Sequence, residues 1–89
     1  MKIKSGFKLR DIAGAKIVVA VGKRTTEFNG IINLNESGAF LWTRLEQGSD
    51  EDRLTADILE RYTDVDEPTA RQSAREFIAA LQEAGCLDE

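Results

Sequence analysis

Hydrophobic positions in the first third of the chain form the short runs that are typical of β-strands. FKLRDI (7–12) alternates apolar and charged residues imperfectly, which predicts a strand with one solvated face. AKIVVAV (15–21) is rich in β-branched residues and predicts a more buried strand, and FNGIINL (28–34) predicts a third. Ala13-Gly14 is a turn signal, and residues 22–27 read as a polar loop. Such short loops favour an antiparallel meander with the second strand in the middle.

From residue 35 onward the apolar residues recur at helical spacing. The three predicted apolar faces are Phe40, Leu41, Trp42 and Leu45; Leu54, Ile58, Leu59 and Tyr62; and Ala70, Ala74, Phe77, Leu81 and Ala84. Residues with capping chemistry flank these faces, namely Asn35, Ser49 or Asp50, and Asp66 at the starts, and Gly48 and Gly85 at two ends. Pro68 falls in the first turn of the third helix, where a missing amide donor costs little.

Three strands followed by three helices predict an α+β fold, and 89 residues are enough for one small domain, residues 1–89. A three-stranded sheet of this size is not stable alone, so the helices must cover one of its faces. Trp42 shares helical spacing with Leu41 and Leu45, which favours a core position over a ligand platform. Cys86, beside Leu87, is interpreted as a small apolar filler near the C-terminus.

The third predicted strand has no charged residue between Phe28 and Leu34, although 31% of the chain is charged. The first strand, by contrast, carries Lys8, Arg10 and Asp11, and charges of this kind discourage further strand pairing. In a three-stranded meander, the first and third strands are both edges of the sheet. The uncharged edge therefore suits the addition of a peptide as another strand, in which backbone hydrogen bonds give affinity and adjacent pockets read alternate side chains.

One flank of the third helix supplies a candidate wall for such a pocket. Ile78 lies to one side of the apolar stripe, and Arg71, Arg75 and Gln82 continue that flank. An apolar residue edged by two arginines suits a segment that offers aliphatic side chains and a carboxylate. The alternative to a binding role is that Ile78 widens the core stripe and the arginines are solvated. The sequence alone favours this alternative.

The composition argues against catalysis and against a metal or other cofactor. The chain has no histidine and a single cysteine, so it lacks the commonest general base and the ligands of a zinc site. Asp50, Glu51 and Asp52 sit together at a polar helix start, where capping is the expected role. The glycines form no phosphate-binding pattern.

Charge is distributed unevenly along the chain. Residues 1–30 carry seven basic and two acidic side chains, a balance of +5, whereas residues 31–89 carry five basic and fourteen acidic ones, a balance of -9. Such a dipolar chain can steer an oppositely charged partner. No apolar run is long enough for a bilayer, and MKIKSG lacks the apolar stretch of a signal peptide, which predicts a cytoplasmic protein without membrane association.

Several segments together resemble the PqqD family (coenzyme PQQ synthesis protein D) and related peptide-recognition domains of ribosomal peptide biosynthesis. The segments are GF-LR-IAG at 6–14, KIVVAVG, FNGIINLNESGAFLW, LEQG near 45–48, LTADILERY, D-V-D-x-x-x-A at 64–70 and FIAALQEAG at 77–85. They span nearly the whole length, and LNESGAFLW is the most specific of them.

The resemblance implies a winged helix-turn-helix-like fold that binds the leader segment of a precursor peptide and presents it to a modifying enzyme, often a radical SAM enzyme. It also implies that the leader lies as an extra antiparallel strand against the third strand, in a cleft bounded by the third helix. The site residues are then Phe28, Asn29, Gly30, Ile31, Ile32, Asn33 and Leu34, with Arg71, Arg75, Ile78 and Gln82 on the helix flank.

Two other hypotheses remain open at this point. Winged helix-turn-helix folds often bind DNA through the third helix, but residues 66–84 carry four acidic and two basic side chains, a balance of -2, which disfavours contact with phosphates. The uncharged edge could instead pair with its own copy in a homodimer. Nucleic acid is therefore not an expected partner, and dimerisation stays an alternative.

Overall fold

The computed structural model describes residues 1–22 and 32–88, which form five strands and three helices. In chain order these are β1 (Lys2–Ile3), β2 (Phe7–Ile12), β3 (Ala15–Ala20), β4 (Ile32–Leu34), α1 (Glu36–Glu46), α2 (Glu51–Arg61), α3 (Glu67–Ala84) and β5 (Leu87–Asp88). A three-stranded antiparallel sheet followed by three helices is the predicted α+β arrangement, and it is confirmed. Residues 28–31 of the third predicted strand lie outside the described residues.

The three-stranded sheet has the order β2-β3-β4, so β3 is central as predicted. The β2–β3 hairpin turns at Ala13 and Gly14, whose φ angles of 53° and 86° are both left-handed. Such angles suit the tight turns of hairpins, and Gly14 adopts its own without steric cost. Just before the turn, Asp11 pairs in register with Lys16, and the two side chains form an ion pair. The hydrogen bond from the Lys16 ammonium lowers the pKa of Asp11.

Each helix begins at a side chain that caps its free backbone amides. Asn35, Asp50 and Asp66 accept hydrogen bonds from the backbone amides of Gly38, Arg53 and Thr69, respectively. These bonds satisfy donors that have no partner within the first helical turn. At the other end of α3, Gly85 adopts a φ of 79°, the left-handed conformation that commonly ends a helix. The predicted caps are confirmed.

A second, two-stranded sheet joins the two ends of the chain, and the sequence pattern does not predict it. β1 pairs antiparallel with β5, and the Lys4 amide donates a 2.8 Å hydrogen bond to the Cys86 carbonyl. The Met1 carbonyl accepts a hydrogen bond from the Ser49 amide, between α1 and α2. Strands of two residues are too short to show alternation, which explains why periodicity misses them.

The core lies between the sheet and the helices. Val18 from β3, Trp42 and Leu45 from α1, and Leu54 from α2 are fully buried, so Trp42 is a core residue as predicted. Cys86 is also fully buried, and its burial raises the pKa of its thiol. Within residues 1–22 and 32–88, no helix has both the length and the apolar character needed to cross a membrane.

Candidate functional site

The free edge of β4 is the first component of the candidate site. β4 pairs with β3 on one side only, in the register Lys16–Leu34, Ile17–Asn33 and Val18–Ile32, and no other described strand lies beyond it. Because successive side chains of a strand point to opposite faces, Ile32 and Leu34 face the core, where they are half-buried, and Asn33 is exposed on the other face. Backbone groups on the open side of β4 are therefore placed to pair with an incoming strand.

The LNESG motif fixes the direction in which the chain leaves this edge. Oδ1 of Asn35 accepts hydrogen bonds from the Gly38 amide at 2.8 Å and from the Ser37 hydroxyl at 2.9 Å. A Cβ atom at position 38 would lie 3.1 Å from Oδ1 of Asn35, which is tighter than usual contact distances, and 3.4 Å from the Leu34 side chain. The glycine thus allows α1 to begin directly against the end of β4.

An apolar cleft of about 270 Å³ opens beside this junction and is the second component. Its lining comes from all three helices and the α2–α3 turn: Ser37, Leu41, Ile58, Tyr62, Val65, Thr69 and Ser73. Four of these side chains are hydrophobic or aromatic, and the other three contribute small hydroxyl groups. The cleft can accept an aliphatic or aromatic side chain and offers hydrogen bonds at its margin.

α3 contributes to the cleft through Thr69 and Ser73, four residues apart on one flank of its buried stripe. Arg71 and Arg75 lie on the opposite flank, since two residues along a helix correspond to a rotation of about 200°. There they face the start of α2: Nη1 of Arg71 is 2.9 Å from Glu51, and Nε of Arg75 is 3.0 Å from the same carboxylate. The arginine flank is thus turned away from the cleft.

The arginine flank and its carboxylates form an ion-pair network that connects α2 with α3. Arg71 also contacts Asp52 at 2.8 Å and Glu67 at 2.9 Å. Hydrogen bonds from Arg71 and Arg75 lower the pKa of Glu51. Hydrogen bonds to Asp52, Glu51 and Glu67 raise the pKa of Arg71. In the part of the chain that the structure describes, no group of His, Cys, Asp or Glu side chains is arranged to hold a metal ion.

The structure brings together only part of the predicted site. Ile32, Asn33 and Leu34 form the open edge, whereas Phe28, Asn29, Gly30 and Ile31 lie outside the described residues. Ile78 is 7% exposed and packs in the core, which agrees with the interpretation that it widens the apolar stripe of the third helix. Arg71, Arg75 and the exposed Gln82 share the flank that faces away from the cleft.

Sequence reasoning missed the cleft residues that come from different helices. Leu41, Ile58 and Tyr62 were predicted as core positions, and they do pack with the core while lining the cleft. Thr69 and Ser73 carry no apolar signal, because they flank the stripe of α3 without belonging to it. Their i, i+4 spacing of small hydroxyl side chains was the only available indication.

Comparisons with known proteins agree with this architecture. The family model described as Coenzyme PQQ synthesis protein D (PqqD) matches residues 16–87. Two solved structures share the fold: TbiB1 in complex with the TbiA(beta) leader peptide, and lasso peptide synthetase B1 complexed with the leader peptide. The first is 24% identical with a TM-score of 0.78, and the alignment covers 99% of this chain and 95% of that one.

The second solved structure is 15% identical with a TM-score of 0.75, covering 96% of this chain and 93% of that one. At these identities the likeness concerns the fold. No curated protein sequence matches the chain. The family match, however, extends from β3 to β5 and includes both β4 and the three helices. The chain therefore belongs to the PqqD family.

Proposed function

We propose that this protein binds the leader segment of a ribosomally made precursor peptide and presents it to a modifying enzyme, without catalysing a reaction itself. The observation that carries the proposal is the open edge of β4 beside an apolar cleft. Edge pairing supplies affinity through the backbone, and the cleft supplies selectivity for a side chain. Both solved relatives with this fold hold leader peptides, which supports the same role here.

We expect the leader to pair antiparallel with β4, and this expectation gives the direction of the bound peptide. β4 runs from Ile32 to Leu34 and then into α1, so the cleft adjoins its C-terminal end at Ser37. A peptide that pairs antiparallel with β4 has its earlier residues beside Leu34. The side chain that enters the cleft therefore belongs to the N-terminal part of the paired segment, and an aliphatic or aromatic residue fits the lining best.

On the helix side, we assign the contacts to Thr69 and Ser73. Contact through Arg71, Arg75, Ile78 and Gln82 stays a prediction, and it would require two arginines to leave Glu51 and a buried isoleucine to become exposed. Residues 28–31 directly precede β4 in the sequence and stay predicted contacts. The proposal treats residues 1–89 as one peptide-recognition domain, acting in the cytoplasm with a maturase of the radical SAM class.

DNA binding is less well supported by the same contacts. The two arginines of α3 are paired with carboxylates of α2, and those carboxylates would also repel phosphates.

Homodimerisation through the β4 edge would occupy the surface that the peptide needs. The two events therefore compete, and the dimer is expected to dissociate when the peptide binds.

The test is a titration of isotopically labelled protein with the precursor peptide encoded beside its gene. Amide resonances of Ile32, Asn33 and Leu34 should shift together with those of Ser37 and Ser73, and the amide of Asn33 should become protected from hydrogen exchange. Amides of β1, which lie in the other sheet, serve as the internal control. Unmoved β4 amides at saturating peptide would overturn the proposal.

A further inference from the structure

The three-stranded sheet has a second face, which the described helices do not cover. We call it the outer sheet face: Lys8, Arg10 and Ile12 of β2, Ala15, Ile17 and Val19 of β3, and Asn33 of β4. These residues alternate with the core-facing Phe7, Leu9 and Val18. The register places Lys8 beside Val19 and Arg10 beside Ile17, so cationic and aliphatic side chains adjoin one another across the strands.

Exposure and charge distinguish the outer sheet face from an ordinary solvated surface. Ile12 is 57% exposed, Ile17 and Val19 are half-buried, and Lys8 and Arg10 are exposed. Neither cation makes an ion pair with a described residue, whereas Asp11, on the opposite face, is paired with Lys16. Among the described residues of the three strands, the outer sheet face therefore carries two positive charges and no carboxylate.

The outer sheet face is also continuous with the proposed peptide-binding edge. Asn33 belongs to this face and to β4. A peptide strand added to β4 extends the sheet, and every second side chain of that peptide then points outward beside Asn33. A partner seated on this face would contact the protein and the bound peptide at the same time.

We propose that the outer sheet face docks the peptide-modifying enzyme, through an enzyme surface that combines carboxylates with aliphatic side chains. The inference rests on the proposed leader-binding function and adds the surface that recognises the enzyme. The carboxylates complement Lys8 and Arg10, and the aliphatic groups cover Ile12, Ile17 and Val19. Because the bound peptide adds its own side chains to the surface, the enzyme should bind the peptide complex more tightly than the peptide-free protein.

A protein partner fits this face better than a nucleic acid. Two cations neutralise few phosphates, and aliphatic side chains beside them contribute little to contacts with a DNA or RNA backbone. An acidic and aliphatic protein surface uses both kinds of residue. On β2 the cations Lys8 and Arg10 lie on the outer sheet face, whereas Asp11 lies on the other face.

The test measures binding to the purified modifying enzyme encoded beside the gene, with and without the precursor peptide. The variant K8E/R10E should bind the enzyme at least about tenfold more weakly, because two attractive contacts become repulsive. Its affinity for the precursor peptide should stay unchanged. The control variant K2E/R53E makes the same change in net charge on β1 and α2 and should bind the enzyme normally.

A photo-cross-linking residue at Ile12 gives a second readout that does not depend on charge reversal, with the exposed Thr63 as the control position. Adducts with the enzyme from position 12 alone support the proposal. Unchanged enzyme affinity in K8E/R10E, or equal cross-linking from both positions, overturns it, as does salt-dependent retention on duplex DNA that K8E/R10E abolishes. Cross-linking of the enzyme at position 12 is measured without peptide as well. Failure of the wild-type protein to bind the peptide therefore counts against leader binding and leaves the test of enzyme docking intact.

Discussion

The amide of Gly38 donates a 2.8 Å hydrogen bond to the side chain of Asn35, and this bond holds the start of α1 against the end of β4. The same asparagine side chain accepts a hydrogen bond from the hydroxyl of Ser37, which lines the apolar cleft. Asn35 thus positions Ser37, at the margin of the cleft, relative to the open strand edge. The structural role of the LNESG motif follows from these contacts.

Replacement of Asn35 by alanine should destabilise the protein and weaken peptide binding together. Loss of an N-cap costs about 1 kcal/mol in the free energy of unfolding. Ser37 and the end of β4 also lose their common anchor, so the affinity for the precursor peptide should fall several-fold. Urea unfolding followed by the fluorescence of the buried Trp42, together with calorimetric titration, measures both effects.

Asp50 offers a matched control, because it caps α2 away from the strand edge through a 2.8 Å hydrogen bond from the Arg53 amide. Asp50→Ala should destabilise the fold without reducing peptide affinity under conditions in which the protein is folded. If both alanine variants weaken peptide binding equally, the effect is one of general stability, and the anchoring role of Asn35 is wrong.

The two flanks of α3 can be distinguished by one substitution on each. Ser73→Tyr places an aromatic ring at the margin of the apolar cleft and should reduce peptide affinity at least about tenfold by occupying the space of the incoming side chain. Arg75→Ala should leave affinity nearly unchanged, since Arg75 faces Glu51 on α2. The opposite result would assign binding to the arginine flank.

The pH dependence of stability should contain a contribution from Glu51. Arg71 and Arg75 hold its pKa below the value of 4.5 expected for an unpaired glutamate. A depressed pKa in the folded state means that the contribution is present above pH 4.5 and is lost as the pH falls through the folded pKa. Stability should therefore decline less between pH 5 and pH 3, as an approximate window, in Glu51→Gln than in the wild type.

Urea titrations at about pH 7 and about pH 3.5 would measure this difference. Glu60→Gln is the control, because Glu60 makes no ion pair with any residue in the described ranges. Parallel pH profiles for the wild type and Glu51→Gln would show that the α2–α3 network is too solvated to contribute.

The elements of the fold were predictable because their signals are local. Asn35, Asp66 and Gly85 mark helix ends through their own side chain or backbone preference, and each lies where the sequence indicates. The arginine flank was not predictable from helical periodicity. Arg71 and Glu51 are 20 residues apart in the chain, so only the packing of α3 on α2 shows that an internal carboxylate occupies this guanidinium.

The cleft was hidden for a related reason. Leu41 and Ile58 have helical spacing with core residues, and the sequence cannot show that one side of each borders an open space. The β1–β5 sheet joins residues more than eighty positions apart through strands of two residues, where alternation has no meaning. The sequence pattern predicted secondary structure better than it predicted which distant residues come into contact.

The chain's single thiol, at Cys86, lies directly before β5 and should react slowly. Cys86 is fully buried, and its raised pKa favours the unreactive protonated form, so a thiol reagent at about pH 8 should label the folded protein very slowly. Labelling then requires an opening that separates β5 and the Lys4–Cys86 hydrogen bond from the core.

Weakening β1 should accelerate this labelling. Ile3 is 9% exposed and pairs with Leu87, so Ile3→Ala removes buried contacts at a cost of about 2–4 kcal/mol and should raise the labelling rate by more than tenfold. Ile12→Ala removes the same atoms from a side chain that is 57% exposed and should leave the rate nearly unchanged. Equal acceleration in both variants would show that the thiol is reached by a route other than the opening of the β1–β5 sheet and the Lys4–Cys86 hydrogen bond.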